Sequence, residues 1–151
     1  MAKLEILQVG APVLREKCVK VENIDLNLLK LLDDMKQTLE EAQGAGLAAP
    51  QVGKNIRVFI VSTDDGYFEF INPRILGVSG SQYGVEGCLS VKGKWGDVKR
   101  PKKVTIEATD RYGKKFKLVA RDFTARAICH ENDHLDGILY IDKANNLRDE
   151  A

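Results

Sequence analysis

The sequence predicts an α+β domain in which strands occur in groups between isolated helices. Extended patterns occur at residues 57–62, 67–71, 104–108 and 116–119, and helical periodicity appears before and after these groups. The regular strand-helix alternation that builds a parallel sheet is missing. We therefore expect a single catalytic domain over residues 1–151, built from mixed or antiparallel sheets and a few helices.

Composition limits the function classes. A chain of 151 residues that is 44% hydrophobic is long enough to bury the core of one domain. The net charge is +1 and basic residues form no tract, so neither direct nucleic-acid binding nor a membrane surface patch is indicated. No apolar run approaches the roughly 20 residues of a membrane helix, and we expect a cytoplasmic protein. Cys18, Cys88 and Cys129 are odd in number and widely spaced, which predicts free thiols in a reducing compartment.

The first long helix is predicted at residues 25–42. Its apolar positions recur at alternating steps of four and three, which is typical of an amphipathic helix packed on a core. These positions are Leu28, Leu32, Met35, Leu39 and Ala42. Gly44 is expected to end this helix. Pro12 suits the first turn of a shorter helix that reaches residue 17.

Two hairpins are predicted next. The first turns at residues 64–66 (Asp-Asp-Gly) and the second at residues 110–113 (Asp-Arg-Tyr-Gly). Between the hairpins, residues 77–84 are rich in Gly and Ser and suggest a connecting passage. Residues 85–91 suggest an extended segment. The second hairpin leads into the last helix, which is expected to begin near Asp122 and to end before Gly137.

That last helix carries the sequence His-Glu-Asn-Asp-His at residues 130–134. Side chains four apart lie one above the other on a helix, so His130 and His134 can bind one metal ion. Glu131 is rotated by roughly 100° and would lie beside the ion, where it could take a proton from metal-bound water. The pattern predicts a hydrolytic metal centre that lacks one ligand.

The alternative is a helix with two surface histidines and an accidental glutamate. Against it, one stripe of the helix should face the core and would bury Glu131 and His134, which then need a partner such as a metal ion. The stripe comprises Phe123, Ala127, Ile128, Glu131, His134 and Leu135.

A cysteine is the most suitable third ligand. Cys129 leaves the helix roughly 120° from the midline of the two histidines, and Cys18 lies in a charged segment without site features. Cys88 is flanked by Gly87 on an extended segment, so its backbone can approach the site, and we expect it to be the ligand. The more usual downstream His or Glu is not favoured, because no His follows His134 and the acids up to residue 150 lie in a short polar tail.

A thiolate with two imidazoles leaves an open position on the metal for water. Iron(II), zinc, nickel and cobalt all suit this ligand set. Water made acidic by the ion would attack a carbonyl carbon, and the developing oxyanion needs hydrogen-bond donors. The side-chain amide of Gln51 or the backbone N–H of Leu89 could supply them.

Three separated motifs, at residues 44–51 (Gly-Ala-Gly-Leu-Ala-Ala-Pro-Gln), 86–90 (Glu-Gly-Cys-Leu-Ser) and 130–134, together resemble peptide deformylases. The similarity extends to residues 10–15, 72–73 and 93–101 and so covers nearly the whole chain.

The resemblance implies removal of the formyl group from the N-terminal formyl-methionine of new bacterial polypeptides. It implies that Cys88, His130 and His134 hold the metal and that Glu131 is the general base and acid. Iron(II) is the metal that the family usually holds, with nickel or zinc able to replace it. The fold implied is α+β, with the metal-binding helix enclosed by sheet.

The resemblance also assigns the substrate contacts. Gln51 and the Leu89 amide would bind the formyl oxygen, and the backbones of Ala45, Gly46, Gly87 and Leu89 would bracket the peptide as though adding a strand. Phe123 and Ala127, one and two turns before His130, suit an apolar methionine pocket, although both would serve equally as core residues. The expected partners are N-formyl-methionyl peptides and nascent chains.

Some features depart from the family pattern. Lys92 occupies a place where proline is common, and Cys129 one where glutamine is frequent. Arg100 could meet the substrate backbone or a downstream carboxylate, but because it lies in a basic segment we expect it to be a solvated charge. The short stretch after Gly137 leaves ribosome association in doubt. Two other functions remain open, namely an endopeptidase of the H-E-x-x-H type and a metal-stabilised binding module without catalysis.

Overall fold

The computed structural model describes residues 3–149, so residues 1, 2, 150 and 151 of the predicted domain lie outside the described part. Helices α1 and α2 comprise Leu26–Ala42 and Asp122–His134. Strands β1 to β8 comprise, in order, Gly46–Ala48, Val58–Thr63, Gly66–Ser79, Gln82–Cys88, Val91–Arg100, Lys103–Thr109, Lys115–Arg121 and Asn145–Asp149. Short 3₁₀ helices occur at Pro12–Arg15, Ala49–Val52 and Tyr140–Asp142.

The strands form two antiparallel sheets. Five strands pair in the order β1-β2-β3-β6-β7, and three pair in the order β4-β5-β8. The predicted α+β class is confirmed. Strand β1 lies at one edge of the large sheet and β4 at one edge of the small sheet, so each has a side that no other strand of its sheet covers.

Strand β2 lies between the two helices, and its side chains point alternately into two buried clusters. Phe59 and Val61 point into the cluster that includes Ile128 of α2. Val58 and Ile60 point into the other cluster, which is built around α1. Four consecutive apolar residues therefore find a core on both faces of the strand, and α2 is held in the interior of the molecule.

The predicted long helix is confirmed as α1. Asp25 caps its N-terminus, since its Oδ1 accepts a hydrogen bond from the Leu28 N–H at 2.9 Å. The predicted core positions Leu28, Leu32, Met35 and Leu39 are buried. The predicted stop at Gly44 is displaced by one residue, because Gln43 takes the left-handed conformation (φ 55°) that ends the helix.

Both predicted hairpins are confirmed as β2-β3 and β6-β7. The Gly/Ser-rich passage at residues 77–84 is not a simple connection, because β3 continues to Ser79 and β4 begins at Gln82. The sequence also gave no indication of β5 and β8 as strands. The short helix at Pro12 is one 3₁₀ turn that ends at Arg15.

Cys18, Cys88 and Cys129 are free thiols, as predicted. Within residues 3–149, none of the helices has both the length and the apolar character needed to span a membrane.

Candidate metal centre

Helix α2 is the element that carries most of the site, and the fold encloses it. Strand β7 runs directly into the helix at Asp122, where the backbone turns through a positive φ of 54°. Every residue from 124 to 131 is buried. After the helix, Gly137 has φ +75°, and a Cβ there would lie 2.6 Å from the Arg15 carbonyl oxygen. Only glycine suits that position. The helix begins at Asp122 and ends before Gly137, as predicted.

Cys88, His130 and His134 converge. Their ligand atoms all lie within 4.8 Å of one another, and Cys88 Sγ is 3.4 Å from His134 Nε2. The two histidines come from successive turns of α2, and the cysteine comes from the end of β4. Within residues 3–149 this is the one group of three or more His, Cys, Asp or Glu side chains with metal-binding spacing.

The other two cysteines are buried elsewhere in the core. Burial raises the pKa of Cys18 to about 11, and it does the same for Cys129. Both therefore stay protonated at neutral pH, which makes them poor metal ligands and poor nucleophiles. Cys129 lies among charged groups that include Arg100 and Asp133, on another side of the helix from the histidine pair.

Glu131 lies beside the cluster. It is 5% exposed, its Oε1 is 4.0 Å from His134 Nε2, and that oxygen has no hydrogen-bond partner among the described residues. Burial raises the pKa of Glu131 to about 7, an effect that the charge of His130 opposes. A Cβ on Gly46 would lie 2.7 Å from both Cγ and Oε2 of Glu131. Glycine at position 46 therefore leaves the space that the carboxylate occupies.

A second buried carboxylate, Glu86 of β4, makes four contacts with three side chains. Arg100 of β5 donates two hydrogen bonds to it, both at 2.9 Å, and Arg126 Nη1 of α2 donates a third at 2.6 Å. His130 Nδ1 lies 2.8 Å from Glu86 Oε1. Burial opposes the charge of Glu86, but the hydrogen bonds from Arg100 and His130 hold its pKa well below its ordinary value.

The ionised carboxylate of Glu86 determines which ring nitrogen of His130 carries a proton. An ionised carboxylate only accepts hydrogen bonds, so Nδ1 of His130 carries the proton that lies between the two groups. When the ring is neutral, Nε2 keeps its lone pair and is the nitrogen free to bind a metal ion. Glu86 therefore presents the correct nitrogen of His130 to the cluster.

Arg100 was expected to be a solvated charge, and that prediction is wrong. Its side chain is 2% exposed, and it also donates to Asp133 at 2.7 Å. Arg126 had not been singled out from the sequence. Opposite Arg126 stands Gly84 of β4, where a Cβ would lie 2.7 Å from Arg126 Nη2. The available signal in the sequence was Gly84 itself, because a glycine within a strand often marks the close approach of another group.

The charges around the histidines favour a cation. Burial lowers the pKa of His134 well below its ordinary value, so this ring is neutral. Burial also acts to lower the pKa of His130, but a hydrogen bond that the ring donates to Cys88 and the charge of Glu131 raise it to about 10. A positive charge is therefore favoured between His130, Cys88 and Glu131, and either a proton or a metal ion can supply it.

The donor set fits a divalent transition metal. One sulfur and two ring nitrogens are the ligands that zinc, iron(II), nickel and cobalt accept. The buried Glu131 oxygen without a hydrogen-bond partner points to the same conclusion, because a buried anionic oxygen needs a donor or a cation. We conclude that the side chains present suit a metal ion held by three protein ligands.

Gln51 lies beside the cluster and is 1% exposed. Its side-chain oxygen accepts a hydrogen bond from the Ala48 N–H at 2.8 Å. Its Nε2 lies 3.6 Å from Cys88 Sγ and 3.0 Å from Ser90 Oγ. The amide is therefore fixed with its donor end toward the cysteine.

A cavity of about 620 Å³ opens beside the cluster. It brings together all the residues that were expected to contact the peptide, and it also borders His130 and Glu131. The expected residues are Ala45, Gly46, Gln51, Gly87, Leu89, Phe123 and Ala127.

Phe123 does not belong to the buried stripe that the sequence predicted, because it is 57% exposed, although it does line the cavity. As the second residue of α2, it lies beyond the part that the sheets cover. Trp95 of β5 also lines the cavity and was not singled out from the sequence. A Cβ on Gly87 would lie 2.7 Å from Cζ3 of this ring, so the indole packs directly against the Gly87 backbone. Lys92 is exposed and lines the same cavity.

Comparisons with known proteins agree with the geometry. A family model described as polypeptide deformylase matches residues 3–150. The peptide deformylase of Caldicellulosiruptor bescii is 51% identical over 143 residues, which are 95% of this chain and 86% of the relative. That of Carboxydothermus hydrogenoformans is 44% identical and covers 97% of both chains.

Solved structures lead to the same family. The peptide deformylase of Thermotoga maritima superposes with a TM-score of 0.93 at 34% identity, over 96% of this chain and 99% of that one. The enzyme of Legionella pneumophila gives a TM-score of 0.92 at 36% identity, over 96% of this chain and 88% of that one. From the family match, the identities and the shared fold, the chain belongs to the peptide deformylases, a family of metal-dependent hydrolases.

Proposed function

We propose that residues 1–151 act as one catalytic domain that deformylates nascent polypeptides in the bacterial cytoplasm, through Cys88, His130, His134 and Glu131. The observation that carries these assignments is the convergence of one thiol and two imidazoles beside a buried carboxylate. Removal of the N-formyl group is the reaction of this family.

Cys88, His130 and His134 would hold the ion, which we propose to be iron(II) in the cell, with zinc, nickel or cobalt as substitutes. A bound ion of this kind polarises a carbonyl oxygen and makes water more acidic. The thiolate tolerates all four metals, so iron(II) rests on the resemblance noted in the sequence.

Glu131 would move the protons of the reaction. Burial raises the pKa of Glu131 above its ordinary value, and a carboxyl group shifted toward neutral pH both accepts and returns a proton readily. Oε1 has no competing hydrogen bond among the described residues. We assign this oxygen the acceptance of a proton from the attacking water and its delivery to the leaving amine, which yields formate and a free N-terminus.

The peptide would bind between two sheet edges. Strand β1 ends the large sheet and β4 ends the small sheet, and residues of both line the cavity. A free strand edge offers backbone donors and acceptors to an extended peptide. Ala45 and Gly46 on one side, with Gly87 and Leu89 on the other, would bracket the substrate backbone.

The formyl oxygen would lie near Cys88, where the Nε2 of Gln51 and the backbone N–H of Leu89 would stabilise its developing negative charge. The first side chain of the substrate would enter the apolar part of the cavity, beside Phe123 and Ala127. An exposed phenylalanine at the end of a helix is consistent with a pocket wall that a methionine side chain covers.

The test is formate release from a formyl-Met-Ala peptide, with formyl-Gly-Ala as the poor substrate. Replacing Glu131→Ala should reduce turnover by at least about 10²-fold while elemental analysis still finds one metal per chain. Replacing Cys88→Ser should lower the metal content itself. Cleavage of internal bonds in unblocked peptides without formate release would instead support an endopeptidase. No turnover of either kind in the metal-loaded protein would support a binding module.

A further inference from the structure

The hairpin β6-β7 has one buried face and one open face. Val104, Ile106 and Ala120 are buried and point toward α2. Side chains alternate along a strand, so the intervening residues lie on the opposite side of the sheet. The strand register confirms this arrangement, since the Cα of Lys103 lies opposite that of Arg121 and the Cα of Glu107 lies opposite that of Lys117.

The open face collects positive charge. Its charged residues on β3, β6 and β7 are five cations, Arg74, Lys103, Lys115, Lys117 and Arg121, and two acids, Glu107 and Glu69, of which Glu69 is bound by Arg111. We call this surface the basic face. The whole chain has 23 Lys and Arg against 22 Asp and Glu. The fold therefore concentrates basic residues that are scattered along the sequence.

Most of these cations have no anionic partner. Arg74 pairs with Glu107 at 3.4 Å, and its side chain is 75% exposed. The other four cations of the basic face form no ion pair with any described residue. Lys103 and Arg121 lie directly opposite each other, where like charges repel, so a bound anion would relieve an unfavourable arrangement there.

We propose that the basic face binds the phosphate backbone of double-helical RNA. Lys115 and Lys117 are two residues apart, about 6.6 Å along the strand, and Arg121 lies about 20 Å from Lys115. A row of cations along one strand suits a row of phosphates. A-form RNA presents a wide, shallow minor groove bordered by its phosphates and is recognised mainly by shape.

Other polyanions match the basic face less well. Reading the major groove of DNA requires an element that enters the groove, and β6 and β7 are neighbouring strands of the five-stranded sheet. Single strands stack their bases on aromatic side chains, but the outward positions of these two strands carry none. An anionic membrane surface is bound by an apolar face next to the cations, and Val119 is the one apolar residue at those positions.

RNA on this surface would leave the catalytic cavity open. None of the charged residues of the basic face lines that cavity. The inference therefore does not depend on the proposed function, and the two can fail separately.

The experiment measures binding of the metal-loaded protein to a fluorescent RNA duplex of about 20 base pairs, by anisotropy at increasing salt. Four phosphate contacts predict a slope of about −3 to −4 for log K against log salt. The charge-reversal variant is Lys115→Glu, Lys117→Glu and Arg121→Glu. It should bind at least about tenfold more weakly and show a shallower slope.

A matched control reverses the same number of exposed basic residues elsewhere, through Lys17→Glu, Lys54→Glu and Lys99→Glu. It has the same net charge as the test variant, and it should keep most of the RNA affinity. Both variants should release formate from formyl-Met-Ala at the wild-type rate, which shows that they are folded.

Equal loss of RNA affinity in the two variants would overturn the proposal, because net charge alone would then explain binding. Equal affinity of the wild type for a DNA duplex of the same sequence would overturn the assignment to RNA. Binding to anionic phospholipid vesicles that only the test variant loses would replace RNA by a membrane as the partner. If the test variant does not fold, single Lys117→Gln and Lys54→Gln variants provide the same comparison.

Discussion

Glu86→Gln should destabilise the protein far more than an ordinary loss of one surface charge. The carboxylate accepts hydrogen bonds from two buried guanidinium groups, and Arg126 has no other anionic partner among the described residues. Removing one member of a buried ion pair costs about 3 to 5 kcal/mol, because the remaining charge is left uncompensated. Glutamine also places an N–H₂ donor among other donors. We expect a loss in that range from a total stability of roughly 5 to 15 kcal/mol.

The same change should weaken metal binding. Glu86 fixes the proton of His130 on Nδ1 and thereby presents Nε2 to the ion. Loss of such a partner typically lowers metal affinity about 10-fold to 100-fold. The assay has two parts, urea unfolding of the chelator-treated protein and zinc affinity measured by competition with a chromophoric chelator. Neither readout depends on turnover.

Glu107→Gln is the matched control. It makes the same chemical change on a strand of the large sheet, in a carboxylate that is 23% exposed and 3.4 Å from the exposed Arg74. A pair of this kind is worth about 0 to 1 kcal/mol. If Glu86→Gln costs no more than Glu107→Gln, or if zinc affinity is unchanged, the reasoning about Glu86 is wrong. Should Glu86→Gln fail to fold, Arg126→Met tests the buried ion pair alone: it should lower the free energy of unfolding and leave zinc affinity unchanged, because Glu86 keeps its contact with His130.

Two further predictions follow from the packing of single residues. Gly46→Ala should lower formate release by about 10²-fold, because a Cβ 2.7 Å from Glu131 must displace that carboxylate. The control is Gly77→Ala, since a Cβ at position 77 meets nothing within 4 Å. Equal rates of formate release in the two variants would contradict the proposed role of Glu131. Burial raises the pKa of Cys18 from 9.0 to about 11, so the neutral thiol contributes stability that is present below pH 9 and is lost as pH rises toward 11. Cys18→Ala should therefore flatten the decline of unfolding free energy over this range in reducing buffer, and an unchanged decline would exclude the thiol as its cause.

The sequence predicts those elements whose side chains alternate between core and solvent. Helix α1 and the hairpin β6-β7 have such patterns, and β2 was recognised instead from its run of four buried apolar residues. Strand β8 has all five residues exposed and pairs with β5 through its backbone. Strand β5 carries four consecutive exposed residues and two glycines. A strand with little buried surface leaves no hydrophobic period in the sequence, so neither could be recognised.

The candidate site divides in the same way. His130 and His134 were recognised because a helix brings together positions four apart, and Cys88 because small neighbours let its strand come close. Arg100 was misjudged, because a basic residue has the same local pattern whether water or a buried carboxylate surrounds it. Its burial is decided by partners from other elements, Glu86 on β4 and Asp133 on α2, which no local pattern specifies.

The ion pairs of Glu86 also explain how two separate sheets can build one metal centre. Cys88 comes from the small sheet and both histidines from α2, yet three ligand atoms must meet within a few tenths of an ångström of ideal distances. Glu86 contacts His130 at 2.8 Å and Cys88 Sγ lies 3.4 Å from His134 Nε2, so both side chains of β4 face α2, although the pairing of β4 with β5 is irregular between them. A slip of β4 by one residue would turn both away from α2. It would also leave Arg126 buried without its carboxylate, at a cost of several kcal/mol. The ionic contact therefore selects the one register of β4 that brings the thiol to the histidines.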